Sequence, residues 1–275
     1  MKRLLILFYI FTFIFNIIPN DIDKLNFQIQ NGNIPSIKKI ILKGIDINEL
    51  DSHGKTPLIV AAQYGKLEIA NFLINHGAEI DKRGKVCETP LMVSVIVNNT
   101  EMAEYFIKMG ANLDVLDCVD TSLLMFAAQR GNVKLVKFFI ENGANYQLSD
   151  YFGTSVFMYA AKSKCSEIVD YLLNLDVTID TIDTSGNTAF MYICSYGDTT
   201  LVSKLISMHV DINEKSWKDE NALIWALLNE NEKVARLLIN SGIDCNVKST
   251  KDETPLMIAK EKGYKEIIKL LEDKY

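Results

Sequence analysis

The chain has 275 residues, of which 48% are hydrophobic and 23% are charged, so it can bury a sizeable core and is not a disordered protein. Lysine and arginine number 29 against 35 aspartate and glutamate residues, and the formal net charge is −6. Because no stretch concentrates basic charge as a phosphate-binding surface does, we expect no nucleic-acid partner.

The first twenty residues form a segment of their own. Lys2 and Arg3 precede an apolar run from Leu4 to Ile18, and Pro19 opens a polar region. A basic start followed by such a run is typical of a secretory signal peptide. The run is shorter than the roughly 20 residues of a membrane-spanning helix, yet no pair of small residues marks a cleavage point. A cleaved signal peptide and an uncleaved membrane anchor both stay open for residues 1–20. We predict an exported protein that is periplasmic, envelope-associated or secreted.

Similar residues then recur every 33 positions to the end of the chain. One column has glycine at five of its eight positions: Gly32, Gly65, Asn98, Gly131, Lys164, Gly197, Glu230 and Gly263. A second column also has five glycines: Gly44, Gly77, Gly110, Gly143, Asp176, His209, Gly242 and Tyr275. A third column holds short polar side chains that can cap a helix: Asp23, Thr56, Thr89, Ser122, Ser155, Thr188, Asn221 and Thr254. The strict period predicts a stacked solenoid, in which each unit covers the apolar face of its neighbour.

One unit of this pattern contains two short helices and a turn. Thr56 is placed to cap a first helix that Gly65 ends in the left-handed conformation. Residues 66–76 have the apolar spacing of a second helix, which Gly77 ends. Residues 78–85 are then predicted to project as a turn, which we call the fingertip of the unit.

These residues resemble a known repeat family. The sequence Gly54-Lys55-Thr56-Pro57-Leu58-Ile59-Val60-Ala61-Ala62 is similar to the ankyrin repeat, and so is Glu253-Thr254-Pro255-Leu256-Met257-Ile258-Ala259. The resemblance implies an all-α repeat solenoid of helix-turn-helix units. It covers residues 21–275, with a degenerate N-terminal cap unit at 21–47, six internal units at 48–247 and a C-terminal cap unit at 248–275. The histidine usual in the family motif is replaced by Ile59, Met92, Met125, Met158, Met191, Ile224 and Met257, so packing must replace its hydrogen bond.

The resemblance also implies a function. Ankyrin-like repeats bind a protein or peptide in a concave groove made by the fingertips and the first helices, and we expect a monomeric, non-enzymatic scaffold. Carried over by position, the partner-binding residues are Val86, Ile96, Val97, Val119, Arg130, Tyr151, Phe152, Tyr196 and Trp217. A secreted effector that acts on host proteins and an accessory subunit of an enzyme stay open as alternatives.

No chemical motif points to catalysis. The three histidines, His53, His76 and His209, fall in different units, so they predict no metal site. The sequence has no phosphate loop, nucleophile elbow or zinc-binding helix motif. We therefore predict no catalytic residue, no cofactor and no metal.

The five cysteines show no metal-type spacing. Cys87 and Cys118 fall on adjacent fingertips, and an exported chain would meet oxidising conditions. A bridge requires Cα atoms within roughly 7 Å, and because fingertips can stand further apart than this, we favour two unpaired thiols. Cys194 replaces the second alanine of the motif, so we predict that it is buried and inert.

The glycine columns also predict where the stack is weakest. Lys164, Asp176, His209 and Glu230 stand where glycine is expected at the end of a helix. A residue other than glycine costs roughly 1 kcal/mol in the left-handed region. We therefore expect fraying to begin in the fifth to seventh units.

Overall fold

The computed structural model describes residues 20–274, which contain sixteen α-helices joined by short turns. The segment predicted as a signal peptide or anchor lies, up to residue 19, outside the described residues. The chain divides into two compact units, Met1–Cys118 and Val119–Tyr275. Unit 1 contains α1 (Asp21–Gln30), α2 (Ile34–Ile41), α3 (Pro57–Gln63), α4 (Leu67–Asn75), α5 (Pro90–Ile96) and α6 (Thr100–Lys108).

Unit 2 contains the other ten helices. They are α7 (Leu123–Gln129), α8 (Val133–Glu141), α9 (Val156–Ser163), α10 (Ser166–Leu173), α11 (Ala189–Tyr196), α12 (Thr199–Ser207), α13 (Ala222–Leu228), α14 (Glu232–Asn240), α15 (Pro255–Lys262) and α16 (Lys265–Glu272). Odd-numbered helices are the first helices of their repeats and even-numbered helices are the second. The predicted all-α repeat fold is confirmed. Within residues 20–274, none of these helices has both the length and the apolar character to cross a membrane.

The first helices begin where the column of short polar residues predicts. The hydroxyl of Thr56 accepts a hydrogen bond from the backbone N–H of Ile59 at 3.2 Å, and Pro57 occupies the first position of α3. This cap satisfies one of the backbone donors that a helix leaves free at its start. Equivalent side-chain caps are formed by Thr89, Ser122, Ser155, Thr188, Asn221 and Thr254.

The first position of that column, Asp23, was predicted wrongly. Asp23 lies inside α1, and Asn20 caps this helix by accepting from the N–H of Asp23 at 2.7 Å. The carboxylate of Asp23 instead accepts from the N–H of Ser52 at 2.8 Å, on the fingertip of the next repeat. The first repeat therefore begins its helix about three residues earlier than the period requires.

The helix ends follow the glycine columns at most positions. Gly65 has φ of +63°, and Lys164, His209 and Glu230 adopt the same region with φ of 61°, 62° and 64°. Asp176 does not, which corrects the prediction for that residue. The chain leaves α10 through a tight turn, closed by Val177 N donating to Leu175 O at 2.8 Å, and this turn needs no left-handed residue.

Each repeat is held by the burial of its first helix. The paired alanines of these helices are fully buried, which lets neighbouring helices approach closely: Ala61, Ala62, Ala127, Ala128, Ala160 and Ala161. The residues that replace the family histidine are also buried at Ile59, Met92, Met125, Met158, Met191 and Ile224, whereas Met257 in the last repeat is 56% exposed. Packing thus replaces the missing side-chain hydrogen bond in six repeats, as the sequence predicts.

Replacing Lys164 by glycine tests the strain at the helix ends. Because Lys164 has φ of 61°, Lys164→Gly should raise the free energy of unfolding by about 1 kcal/mol. Asp176→Gly is the matched control, since it removes a charged side chain from the same type of position without a left-handed backbone. Here the greater freedom of glycine in the unfolded chain should lower stability instead. Urea unfolding of both variants measures the difference, and equal shifts in the same direction would show that the left-handed backbone at Lys164 carries no strain.

Candidate functional site

The fingertips of unit 2 are joined to one another by backbone hydrogen bonds. In each case a residue early in one fingertip donates to the carbonyl of the preceding fingertip. The pairs are Tyr151 N to Val119 O at 2.9 Å, Thr184 N to Phe152 O at 2.8 Å, Trp217 N to Ser185 O at 3.0 Å and Thr250 N to Lys218 O at 2.9 Å. These bonds fix the fingertips as a row, so their side chains are presented on a rigid backbone.

An aspartate holds each of two fingertips to its own first helix. Asp150 accepts from the N–H groups of Phe152 at 2.9 Å and Thr154 at 2.8 Å, and from the hydroxyl of Tyr159 at 2.7 Å. In the next repeat Asp183 accepts in the same way from Ser185 N at 2.9 Å, Asn187 N at 3.0 Å and Tyr192 Oη at 2.7 Å. These carboxylates close the turns and orient the two tyrosines.

Three of the predicted binding residues are exposed aromatic side chains on this row. Tyr151 is 73% exposed, Phe152 is 47% exposed, and their rings meet edge to face with centroids 5.5 Å apart. Trp217 is 66% exposed, and its indole Nε1 donates to Thr184 O at 2.9 Å. The indole is therefore anchored at its polar edge and leaves its apolar surface exposed to solvent.

The other predicted residues differ in accessibility. In unit 2, Arg130 is exposed, whereas Val119 and Tyr196 are half-buried. In unit 1, Val86 is 69% exposed and Val97 is 43% exposed, but Ile96 is half-buried. The structure connects Val119, Tyr151, Phe152 and Trp217 along the fingertip row of unit 2. It places Val86, Ile96 and Val97 in unit 1.

Cys87 and Cys118 form a disulfide, so the prediction of two unpaired thiols is wrong. Their Cα atoms are 5.6 Å apart and the S–S distance is 2.04 Å. Neighbouring fingertips of unit 1 come close enough for direct backbone pairing, as Lys85 N donating to Gly54 O at 2.8 Å shows. Cys194 is fully buried as predicted, and burial raises the pKa of its thiol well above the ordinary value.

The first helices of unit 2 contribute a cluster that the sequence reasoning did not single out. Lys162 Nζ lies 4.5 Å from the centroid of the Tyr192 ring and 5.9 Å from that of Tyr159, and 3.8 Å from Asp183 Oδ2. Tyr192 in turn meets Trp225 edge to face with centroids 5.2 Å apart. The sequence signal for this cluster is the aromatic residue that recurs at the same position in successive repeats. Whether these residues belong to the core or to a surface depends on which face of the first helix is left uncovered, and the sequence alone does not show this.

Burial and hydrogen bonding perturb the ionisable groups of this cluster. Burial lowers the pKa of Lys162, although the nearby Asp183 and Asp150 oppose the shift. Burial alone would raise the pKa of Asp183, but hydrogen bonds from Tyr192, Asn187 and Ser185 hold it below its ordinary value. Burial and the bond to Asp183 raise the pKa of Tyr192, so its hydroxyl stays a protonated donor at neutral pH.

Unit 1 has a cavity of about 540 Å³ on the equivalent face. Phe27 of α1, His53 of the fingertip and Tyr64 after α3 are among the residues that line it. Asn26, which is 5% exposed, donates to Asp51 Oδ2 at 2.7 Å, while its own Oδ1 has no partner. The cavity is open and of mixed polarity. Within residues 20–274, no group of histidine, cysteine and carboxylate side chains could hold a metal ion.

Comparison with known proteins identifies the repeat. The family model described as ankyrin repeats, in three copies, matches residues 25–117, 98–183 and 157–249. Together these matches span most of the chain and both compact units. No curated protein matches the chain.

Reduction of the disulfide should destabilise unit 1. The bridge closes a loop with a sequence separation of 31 residues, and restricting the unfolded chain to this extent is worth about 3 to 4 kcal/mol. Dithiothreitol should therefore lower the free energy of unfolding of the native protein by this order. The double variant Cys87→Ser, Cys118→Ser should be insensitive to reductant. If reductant shifts the native protein and the double variant equally, the bridge contributes nothing to stability.

Proposed function

Because the chain belongs to the ankyrin-repeat family, we propose that it is an exported, non-enzymatic scaffold that binds a protein or peptide through its fingertips and first helices. Proteins built from ankyrin repeats are typically non-enzymatic interaction modules. We assign the binding surface to the fingertip row and the first helices of unit 2. We also propose that the protein acts as a monomer and that it binds neither a cofactor nor nucleic acid.

The single observation that carries the proposal is the exposure of aromatic side chains on a rigid row. Tyr151, Phe152 and Trp217 project from fingertips whose backbones are bonded to their neighbours. Exposed apolar side chains that lie together mark interaction surfaces, and tryptophan and tyrosine are enriched among residues that dominate binding energy. Because the backbone is already ordered, little conformational entropy is lost when a partner binds.

Two observations support the proposed export. The first is the basic and apolar pattern of residues 1–20, which is typical of a secretory signal. The second is the disulfide between Cys87 and Cys118, since such bridges persist in oxidising compartments and are rare in the cytosol. A scaffold in the envelope and a secreted effector would use the same binding surface and differ only in where the partner is met.

Truncating the exposed aromatics tests the binding surface. Residues 21–275 serve as bait, and proteins that remain bound are identified by mass spectrometry. Phe152→Ala and Trp217→Ala should each weaken the affinity for the captured partner by tenfold or more, because individual truncations at interface centres often cost 2 kcal/mol or more. Leu42→Ala is the matched control, since Leu42 is 86% exposed, follows α2 and belongs to unit 1.

Stability must be measured beside affinity in this experiment. The loss of the Trp217 hydrogen bond to Thr184 should lower stability by about 1 kcal/mol, whereas Phe152→Ala should leave the melting temperature almost unchanged. Affinity is therefore expressed per folded molecule. Unchanged affinity per folded molecule in both variants would show that the aromatic row is structural and would remove the proposed binding surface.

A further inference from the structure

An aromatic residue occupies the same position in four successive first helices of unit 2. Phe126, Tyr159, Tyr192 and Trp225 are 33 residues apart on α7, α9, α11 and α13, and all four are half-buried. We call these four residues the aromatic column. Contacts among Tyr159, Lys162, Tyr192 and Trp225 link three of the four members of the column. Hydrogen bonds from Tyr159 to Asp150 and from Tyr192 to Asp183 join this surface, which we call the floor, to the fingertip row.

The repeat distance of this floor is set by helix packing. Neighbouring packed helices lie about 8–10 Å apart. The position of Lys162 agrees with this distance, because its Nζ contacts both the Tyr159 ring at 5.9 Å and the Tyr192 ring at 4.5 Å. The two ring centroids are consequently no more than about 10 Å apart. A partner that repeats its contacts along the column must match this spacing.

A polyproline II helix repeats one face at nearly the spacing of the aromatic column. It has three residues per turn and rises about 3.1 Å per residue, so one face recurs about every 9 Å. A β-strand presents the same face about every 6.6 Å and falls out of step with the column. We propose that the aromatic column of unit 2 binds a proline-rich segment in the polyproline II conformation, one turn to each repeat. This inference rests on the proposed function and specifies the partner class of the same surface.

The charges of the surface favour such an uncharged segment. Asp150 and Asp183 are saturated by backbone N–H groups and tyrosine hydroxyls. The positive charge of Lys162 is compensated by the carboxylate of Asp183 and by the faces of the Tyr159 and Tyr192 rings. A charged partner would have to displace these internal partners. A proline-rich segment instead offers apolar rings to the aromatic column, and its conformation costs little entropy on binding.

One donor on the column has no acceptor within the described residues. The indole Nε1 of Trp225 is buried without a hydrogen-bond partner, although the side chain as a whole is half-buried. Polyproline II segments have no internal hydrogen bonds, so their carbonyl groups are free to accept. A rotation of the indole toward the bound segment gives Nε1 an acceptor. An α-helix also has faces that recur about every 10 Å over two turns, but its carbonyls are used internally and would leave this donor unpaired.

Binding of a defined peptide tests the proposal. The probe is an acetylated and amidated dodecaproline, compared with a Gly-Ser peptide and an alanine-rich helical peptide of the same length and end groups. The chain contains two tryptophans, so in Trp217→Phe the fluorescence reports Trp225 alone. Dodecaproline should bind the native protein, measured by calorimetry, at least tenfold more tightly than either control peptide, and it should cause a saturable change in the fluorescence of Trp217→Phe. Equal binding of the three peptides, preference for the helical peptide, or no binding of dodecaproline overturns the proposal.

Two further variants separate the donor from the packing. Trp225→Phe keeps an aromatic ring and removes the N–H, so calorimetry should show at least fivefold weaker binding of dodecaproline. Met208→Ala is the control, because Met208 is exposed, follows the second helix α12 and lies off the column, so its affinity should change less than twofold. The reverse order of effects overturns the assigned role of Trp225. If Phe152→Ala and Trp217→Ala weaken capture of the native partner while dodecaproline does not bind, the proposed function stands and this inference alone fails.

Discussion

Stacking of first helices within each unit is the constraint on which the other features of the structure depend. No repeat of this length can bury its apolar face alone. Its buried residues, the paired alanines and the methionine or isoleucine beside them, must therefore pack against neighbouring repeats. This packing fixes the period of 33 residues and the spacing of the helices. It also divides each first helix into one face that must be buried and one face whose side chains are free to serve other purposes.

The side chains on the uncovered face of the first helices and on the fingertips are not determined by the stacking of repeats. Asp150 and Asp183 bind the turns to the tyrosines of their own first helices, so fingertip and floor form one hydrogen-bonded element in each of these two repeats. Tyr151 and Phe152 extend from the first of these elements into solvent, and Trp217 extends from the fingertip that follows the second. An aromatic surface is thus presented on a backbone that is already ordered, which favours binding at a low entropic cost.

The sequence predicted most of this fold because the determinants of helix start and stop are local. The caps formed by Thr56 and its equivalents depend only on the first turn of the same helix. The helix end at Gly65 depends only on the φ that glycine can adopt there. Asp23 was misassigned because its carboxylate bonds to Ser52 in the next repeat, a contact that the local pattern does not contain. After α10, the side chain of Gln147 donates to the carbonyl of Asp176, which is also a contact between repeats that the local pattern does not contain.

The candidate site was predicted less completely for the same reason. Tyr151 and Trp217 could be assigned to the fingertips from their positions in the repeat. The disulfide could not be predicted in this way, because its formation depends on the distance between two fingertips. The cluster of Lys162 with Tyr159 and Tyr192 could be recognised only in the structure, since an aromatic residue that recurs every 33 positions fits a buried core equally well. Only the structure shows that these rings stay half-buried and contact a lysine.

We propose that the fingertips and first helices of unit 2 form the binding face. Hydrogen exchange of residues 21–275 with and without the captured partner measures this most directly, because protection is read segment by segment. We expect new protection at the fingertips around residues 150–154, 183–187 and 216–220 and in α9, α11 and α13. Protection concentrated in the second helices α10, α12 and α14, with unchanged exchange at the fingertips, would contradict it.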